Sequence, residues 1–309
     1  KTRPLPIPGA ELMITSDDVL SETTLPSEVV FIGGGVIAME FSHVYARAGA
    51  RVTILELAPQ LLGRMDADAV GMLAAETERL GVTIRTGVKV NAIERADRQL
   101  HVRFEHDGKA QTVRADRVVN GAGRIADVEG LNLDAAGIRH DGIRIELDPY
   151  LRSVSNPAVW VTGDAVATTA QLSPIATYEG QIVGHNIVNG PTKVPDYTVL
   201  PSAVFTVPAL ASVGLTGKEA ADRGLDVTVT TTDMTGWFSA SSYGETVAWA
   251  KVLVDKATDR IVGAHLVGHH GEELIHLFAL AMRQGISATD LRDLPTAYPT
   301  FASDMKNLF

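Results

Sequence analysis

Residues 29–41 read VVFIGGGVIAMEF, a short apolar run, three glycines in a row, and then the start of a pattern with helical period. Val29 to Ile32 are β-branched or aromatic and stop at a glycine, as a strand buried on both faces does. Beyond the glycines, Phe41, Val44, Tyr45 and Ala48 recur at helical spacing, and Gly49 supplies a C-cap. A second strand, Arg51 to Leu55, ends at Glu56. Strand, Gly-x-Gly-x-x-(Gly/Ala), helix, strand, acid is the order of a dinucleotide-binding unit, with Gly33, Gly35 and Ala38 in the three small positions.

Each residue of that loop has its own task. Gly33 permits the tight turn, Gly35 lets backbone touch a pyrophosphate, and Ala38 lets helix and strand pack closely. The amides of Gly34, Val36 and Ile37 belong to the helix N-terminus, which presents donors and a partial positive charge to a phosphate. Glu56 lies 21 residues beyond Gly35, where an acid takes the ribose hydroxyls. A carboxylate there repels a 2′-phosphate, and no arginine follows before Arg64. NAD is therefore preferred to NADP, with alanine in the third position keeping NADP open.

The unit continues beyond Glu56. Asp66 caps a helix with an apolar face of Val70, Leu73, Ala74, Thr77 and Leu80, closed by Gly81, and Val82 to Arg85 is a further strand. VKVNAIERA, LHVRFEHDG and TVRADRVVNGAG then alternate polar and apolar residues, which predicts a three-stranded antiparallel insertion. The nucleotide domain is expected over residues 26–122.

At 309 residues the chain has room for about two domains, or three small ones. Its 45% apolar and 21% charged content is that of a globular protein. A net charge of −10 argues against nucleic acid or an anionic membrane as partner. No apolar run reaches the roughly 18 residues of a membrane span, and KTRPLPIPGAEL is not of signal-peptide type. The chain has no cysteine, which excludes disulfides, thiolate metal sites and thiol chemistry within it and makes a cytoplasmic address the default. It opens without methionine on a proline-rich stretch, leaving processing and origin from a longer protein both open.

From about residue 199 the pattern is antiparallel sheet plus helices. Lys251 to Val254 and Ile261 to Val267 are strands joined by DKATD, and Glu272 to Gln284 is a helix ending at Gly285. His269, His270, Glu273 and His276 invite a metal reading, but a structural or solvated role is preferred, and no metal is expected. Trp237, Phe238 and Tyr243 invite a ligand, with packing or an interface the preferred role.

The order of motifs in the second half resembles one family. DRVVNGAGRIADVEGLNLDAAGI, NPAVWVTGDAV and LSPIATYEGQIVGHNIV, followed by VFTVPALASVGLTGKEA, AKVLVDKATDRIVGAHLVG and YPT, are similar to the pyridine nucleotide–disulfide oxidoreductases, which include glutathione reductase, dihydrolipoyl dehydrogenase and mercuric reductase. The resemblance implies an α/β fold: a Rossmann-like NAD(P) domain with its meander, part of an FAD domain over residues 123–198, and an α+β dimerisation domain over residues 199–309. Residues 1–25 would be a linker or remnant of the FAD domain. It implies a homodimer that passes hydride from NAD(P)H to FAD and then to a disulfide or other small electron acceptor.

The same resemblance assigns further residues. Asp164, at the end of an expected strand Val159 to Val161, would contact the flavin's ribityl and pyrophosphate region, with Gly123 also on the cofactor. Ser173 would bring a backbone amide to the flavin ring, although the stretch from Asp164 to Ser173 is one residue longer than usual. Glu40 matches an acid that pairs with a lysine beside the flavin. The family's first FAD half, with its own glycine fingerprint, cysteine pair and that lysine, has no counterpart here, so the chain looks like the C-terminal part of such an enzyme. The alternative is a nucleotide-binding and dimerisation fragment with no bound FAD and no catalysis. The family's His-Pro-Thr-x-x-Glu is replaced by YPTFASD: Tyr298 stands for the histidine, Ser303 for the glutamate, and Asp304 falls one place late. Tyrosine titrates at about 10 rather than about 6.5, so Tyr298 is a poor acid–base group that can still donate a hydrogen bond.

Overall fold

A computed structural model describes residues 1–166 and 171–309. The chain forms two compact units, one of Pro4–Ala122 with Val199–Phe309, the other of Lys1–Arg3 with Gly123–Thr198.

The larger unit begins with segment 4–25, which includes α1 (Ser16–Leu20). This stretch is not a free linker: Leu5, Ile7, Leu12 and Met13 pack into a core, and Ile14 pairs with Val119. A parallel sheet follows, built from β1 (Glu28–Ile32), β2 (Arg51–Leu55) and β3 (Thr83–Arg85), with α2 (Val36–Ala48) and α3 (Ala67–Arg79) between them. The meander is β4 (Lys89–Ala96), β5 (Gln99–His106) and β6 (Lys109–Ala115), after which β7 (Arg117–Asn120) rejoins the parallel sheet in the order β3-β2-β1-β7. Val29 and Phe31 lie in a core with residues of both helices, whereas Val30 and Ile32 lie in a core with Val102 and Phe104 of the meander. Alternate side chains of a strand point to opposite faces, and here both faces are covered, which is why β1 is continuously apolar. The run TVRADRVVN, expected as one strand of the meander, is two: Asp116 turns the chain by accepting from the amides of Ser27 and Glu28 at 2.9 and 3.0 Å, and β7 pairs with β1.

The smaller unit carries α4 (Ser173–Asn189) and a single-turn 3-10 helix at Gly163–Ala165. The expected strand at Val159 to Val161 does not form; Trp160 makes one antiparallel bridge to Arg152, too short a partner for a ladder.

Returning to the larger unit, β8 (Ser202–Val204), β9 (Ala209–Gly214), α5 (Gly217–Asp222), β10 (Val227–Asp233), α6 (Phe238–Tyr243), β11 (Trp249–Asp255) and β12 (Arg260–Gly268) precede α7 (Gly271–Gln284), α8 (Ala288–Asp293) and α9 (Phe301–Asp304). The strands form an antiparallel sheet in the order β10-β11-β12-β9-β8. Ile275, Phe278 and Ala281 of α7 pack against Ala211, Val213 and Leu266 of that sheet. Two pins join the segments of this unit: Lys251 of β11 reaches Asp66 and Asp68 at the start of α3, and side chains of α2 hold residues 205–207. Among the described residues, no helix is long and apolar enough to cross a membrane.

Candidate nucleotide-binding site

The glycine loop lies at the carboxyl end of β1, where an open α/β sheet offers its ligand crevice. Gly33 has φ +103°, and a Cβ built there would stand 2.5 Å from the Gly121 carbonyl carbon. Both the conformation and the space admit only glycine. Gly35 differs: it is extended, and a Cβ would meet only Gly121 O, at 3.4 Å. Packing does not require glycine at that position, so its bareness keeps the outer approach to the loop open. Ala38 is fully buried, and a Cβ on Gly121 would come within 3.1 Å of Ala38 Cβ, so helix and sheet meet as closely as the small third position allows.

Gly35 is the N-cap of α2 and gives it no side-chain cap. The first amides of α2, those of Val36, Ile37 and Ala38, therefore belong to an uncapped helix start, which suits an anion. Glu56 extends from the end of β2 and accepts from the amide of Gly34 and, at 2.6 Å, from the amide of Ala58. Its carboxylate is fixed beside the loop. Leu61 also packs on Gly34, and Leu62 donates its amide to Gly34 O at 2.9 Å. Arg85, at the end of β3, is turned toward the meander: its guanidinium lies 6.0 Å over the Phe104 ring and donates to Gln111 at 3.3 Å.

One turn along α2, Glu40 accepts from the Phe205 amide at 2.8 Å; burial pushes its carboxyl up, and that hydrogen bond opposes the shift. Three residues on, His43 accepts from the Val207 amide at 3.4 Å, and Arg47 donates to Val207 O at 2.8 Å. No sequence pattern signalled this clasp. It is made by i, i+3 and i+7 positions on one helix face, gripping backbone more than 150 residues away.

In the smaller unit, Asp164 sits in the 3-10 turn, exposed, with no hydrogen bond from a described residue to its carboxylate. The turn is seated on α4: Gly163 donates its amide to Glu179 at 2.6 Å, and a Cβ on Gly163 would approach Ala176 Cβ at 3.1 Å. Glu179 was missed by sequence reasoning, yet it is fully buried and also accepts from Tyr197 Oη at 2.7 Å. Ser173 is exposed as the first residue of α4, whose start has no side-chain cap. Gly123 has φ +98° and accepts from the Arg3 amide at 2.9 Å. The stretch from Asp164 to Ser173, expected to be one residue longer than usual, lies partly outside the described residues.

Tyr298 is 75% exposed. Among the described residues neither Ser303 nor Asp304 serves it: the Ser303 hydroxyl donates back to Thr300 O at 2.5 Å, and Asp304 accepts from the Ser239 hydroxyl. His269 lies 3.3 Å from Glu245 and stacks on Tyr243, and among the described residues no group of three or more His, Asp or Glu is placed to hold a metal.

Residues 1–180 match the pyridine nucleotide-disulphide oxidoreductase family and residues 200–309 match its dimerisation domain. The chain belongs to that family of FAD- and NAD(P)-dependent oxidoreductases. It is 32% identical to the dihydrolipoyl dehydrogenase of Mycobacterium tuberculosis over 308 residues, covering 98% of this chain and 66% of that protein. It is 33% identical to the glutathione reductase of Burkholderia cepacia over 305 residues, covering 98% and 67%. The structure of the HOCl-induced flavoprotein disulfide reductase RclA from Escherichia coli superposes with a TM-score of 0.92 at 28% identity, over 100% of this chain and 71% of that one. The chain thus spans about two thirds of the length of these relatives.

Proposed function

We propose that this chain carries the nicotinamide-dinucleotide site of a homodimeric FAD-dependent oxidoreductase that takes hydride from NADH and passes electrons to a disulfide or another small acceptor. The observation that carries the reading is the uncapped start of α2 behind Gly33 and Gly35, with the Glu56 carboxylate fixed beside it. The α2 amides hold the pyrophosphate, Gly35 admits it, and Glu56 takes the ribose hydroxyls. NAD is preferred because Glu56 presents negative charge where a 2′-phosphate would sit, and Arg85 is engaged with Phe104 and Gln111.

The flavin, when bound, supplies the ring that accepts hydride. Toward it the chain offers the exposed carboxylate of Asp164 for hydroxyl groups, the open start of α4 at Ser173, and Gly123. Glu40 serves through position, by holding Phe205. Tyr298 offers an exposed phenol on the acceptor side, able to donate a hydrogen bond and, among the described residues, unpaired with a carboxylate. A full-length polypeptide containing this chain should show NADH-dependent bleaching of its flavin absorbance under anaerobic conditions; a flavin that stays oxidised overturns the reading.

A second reading is that the 309-residue chain alone binds nucleotide and dimerises without FAD. It is supported by the 66% of its relative's length that the chain spans. Stoichiometric flavin absorbance in the purified chain would overturn it.

A further inference from the structure

The buried stripe of α4 runs Ile175, Glu179, Ile182, Val183 and Asn186. A carboxylate therefore stands within it, with no exposed surface. An apolar side chain in that place would be buried without the desolvation cost of a charged one. What the carboxylate does is join two segments, one before α4 and one after it. One oxygen accepts from the Gly163 amide at 2.6 Å, and the other accepts from Tyr197 Oη at 2.7 Å.

The first of these segments leads into Asp164. Gly163–Ala165 is a single 3-10 turn with no side-chain cap at Thr162, closed by the bond from the Val166 amide to Gly163 O at 2.8 Å. Gly163 has φ +68°, and a Cβ there would stand 3.1 Å from the Cβ of Ala176, which lies one turn before Glu179 on α4. The close seat on Ala176 and the hydrogen bond to Glu179 together fix the backbone that carries Asp164, whose side chain is exposed. A backbone amide bonded to a carboxylate is a charge-assisted contact, among the stronger a short turn can have.

The second segment returns along α4. Asn186 accepts from the amides of Thr192 and Lys193 at 3.1 and 2.9 Å and donates to Lys193 O at 2.7 Å, and Tyr178 Oη accepts from the Asp196 amide at 2.9 Å. This pinned return delivers Tyr197 to Glu179. Burial, and then the Glu179 carboxylate beside it, push the Tyr197 phenol above its ordinary value, so it keeps its proton and donates.

We propose that Glu179 is a positioning residue for the flavin: through the Gly163 amide it fixes the turn that presents the Asp164 carboxylate, and Tyr197 fixes Glu179 in its turn. The proposal rests on the reading that Asp164 serves the flavin. Glu179 acts on the cofactor only through that neighbour, and this makes its role separable from that of an ordinary core residue.

The test uses the full-length polypeptide containing this chain, stripped of flavin and titrated with FAD. Glu179→Met should weaken FAD by about tenfold or more. Glu179→Gln should restore most of that affinity, because its oxygen can accept from Gly163 while its NH2 donates to Tyr197 Oη. In an Asp164→Ala background, Glu179→Met should change FAD affinity by about twofold at most, since no carboxylate remains to be placed. Tyr197→Phe, which keeps the ring, should weaken FAD about threefold and lose that effect in the same background; it carries the cycle if Glu179→Met fails to fold. In the 309-residue chain without flavin, exchange of the Gly163 amide proton should quicken in Glu179→Met and not in Glu179→Gln. Equal losses with and without Asp164, or unchanged affinity in both Glu179→Met and Tyr197→Phe, would overturn the proposal alone. A full-length polypeptide that binds no FAD would overturn the functional reading, and the proposal with it.

Discussion

Lys251 Nζ donates to both carboxylate oxygens of Asp66, at 3.0 and 2.9 Å, and to Asp68 at 2.7 Å, with the Lys251 and Asp66 side chains 8% and 2% exposed. Asp66 also caps α3 through the Asp68 amide and accepts from the Gly217 amide at 3.0 Å. One carboxylate thus serves a helix start, a lysine from β11 and the first residue of α5. Removing the lysine leaves a buried charge without its counter-ion, the costly half of breaking such a pair.

Lys251→Met should accordingly destabilise the protein by about 3 kcal/mol, read as a lower urea midpoint. Adding Asp66→Asn to that variant should recover part of the loss, since the stranded charge is then gone. Asp66 is held below the usual carboxylate range; burial opposes this, and the Gly217 amide and Lys251 outweigh it. Its folded pKa is depressed, so its contribution is present above about pH 4 and is lost as pH falls through the folded value.

Two buried histidines make stability fall on mild acidification. His265, 1% exposed, donates from Nε2 to Leu215 O at 3.0 Å and accepts at Nδ1 from the Ser212 hydroxyl at 3.0 Å. Thr77 gives its hydroxyl proton to Leu73 O, so His43 donates from Nε2 to Thr77 and accepts at Nδ1 from Val207. Burial pushes both pKa values down. The unfolded chain then takes up protons first as pH drops below about 6.5, costing at most about 1.4 kcal/mol per pH unit for each histidine. Urea midpoints should decline from pH 7 to pH 5, and His265→Asn should make that decline shallower.

The glycines of the loop should separate under mutation. Gly33→Ala meets backbone at 2.5 Å in a left-handed conformation, so it should lower both melting temperature and NADH affinity. Gly35→Ala meets only a 3.4 Å contact and should leave the melting temperature nearly unchanged while weakening NADH more than tenfold in a fluorescence titration. Equal melting losses in the two variants would contradict this division of labour.

Glu56→Gln removes the negative charge and keeps one acceptor oxygen where Glu56 uses two, one each for the Gly34 and Ala58 amides. Its NADH-to-NADPH affinity ratio should shrink by about tenfold, or about 1.4 kcal/mol, chiefly through tighter NADPH. A ratio that does not move places the discrimination elsewhere.

The parallel strands and their helices were legible because their patterns are local: four apolar residues, a glycine turn, a helical period and a C-cap. What failed to read depended on partners. TVRADRVVN alternates smoothly, and only the pairing of β7 with β1 divides it at Asp116. Val159 to Val161 has a strand's composition, but Arg152 gives it a single bridge. Asp66 was readable as a cap from its place before an apolar period. Its bond to Lys251, 185 residues away, has no local signature. Glu40 was expected by resemblance to pair with a lysine beside the flavin; its contact with the Phe205 amide, 165 residues away, has no local signature.

The clasp formed by Glu40, His43 and Arg47 has a consequence for recombination. The helix that begins at the glycine loop grips backbone at Phe205 and Val207 with its side chains. Because the grip is on main-chain groups, exchanging the stretch 26–122 keeps this joint only where side chains equivalent to Glu40, His43 and Arg47 come with it. The two segments fold as one part, although the sequence between them folds as another.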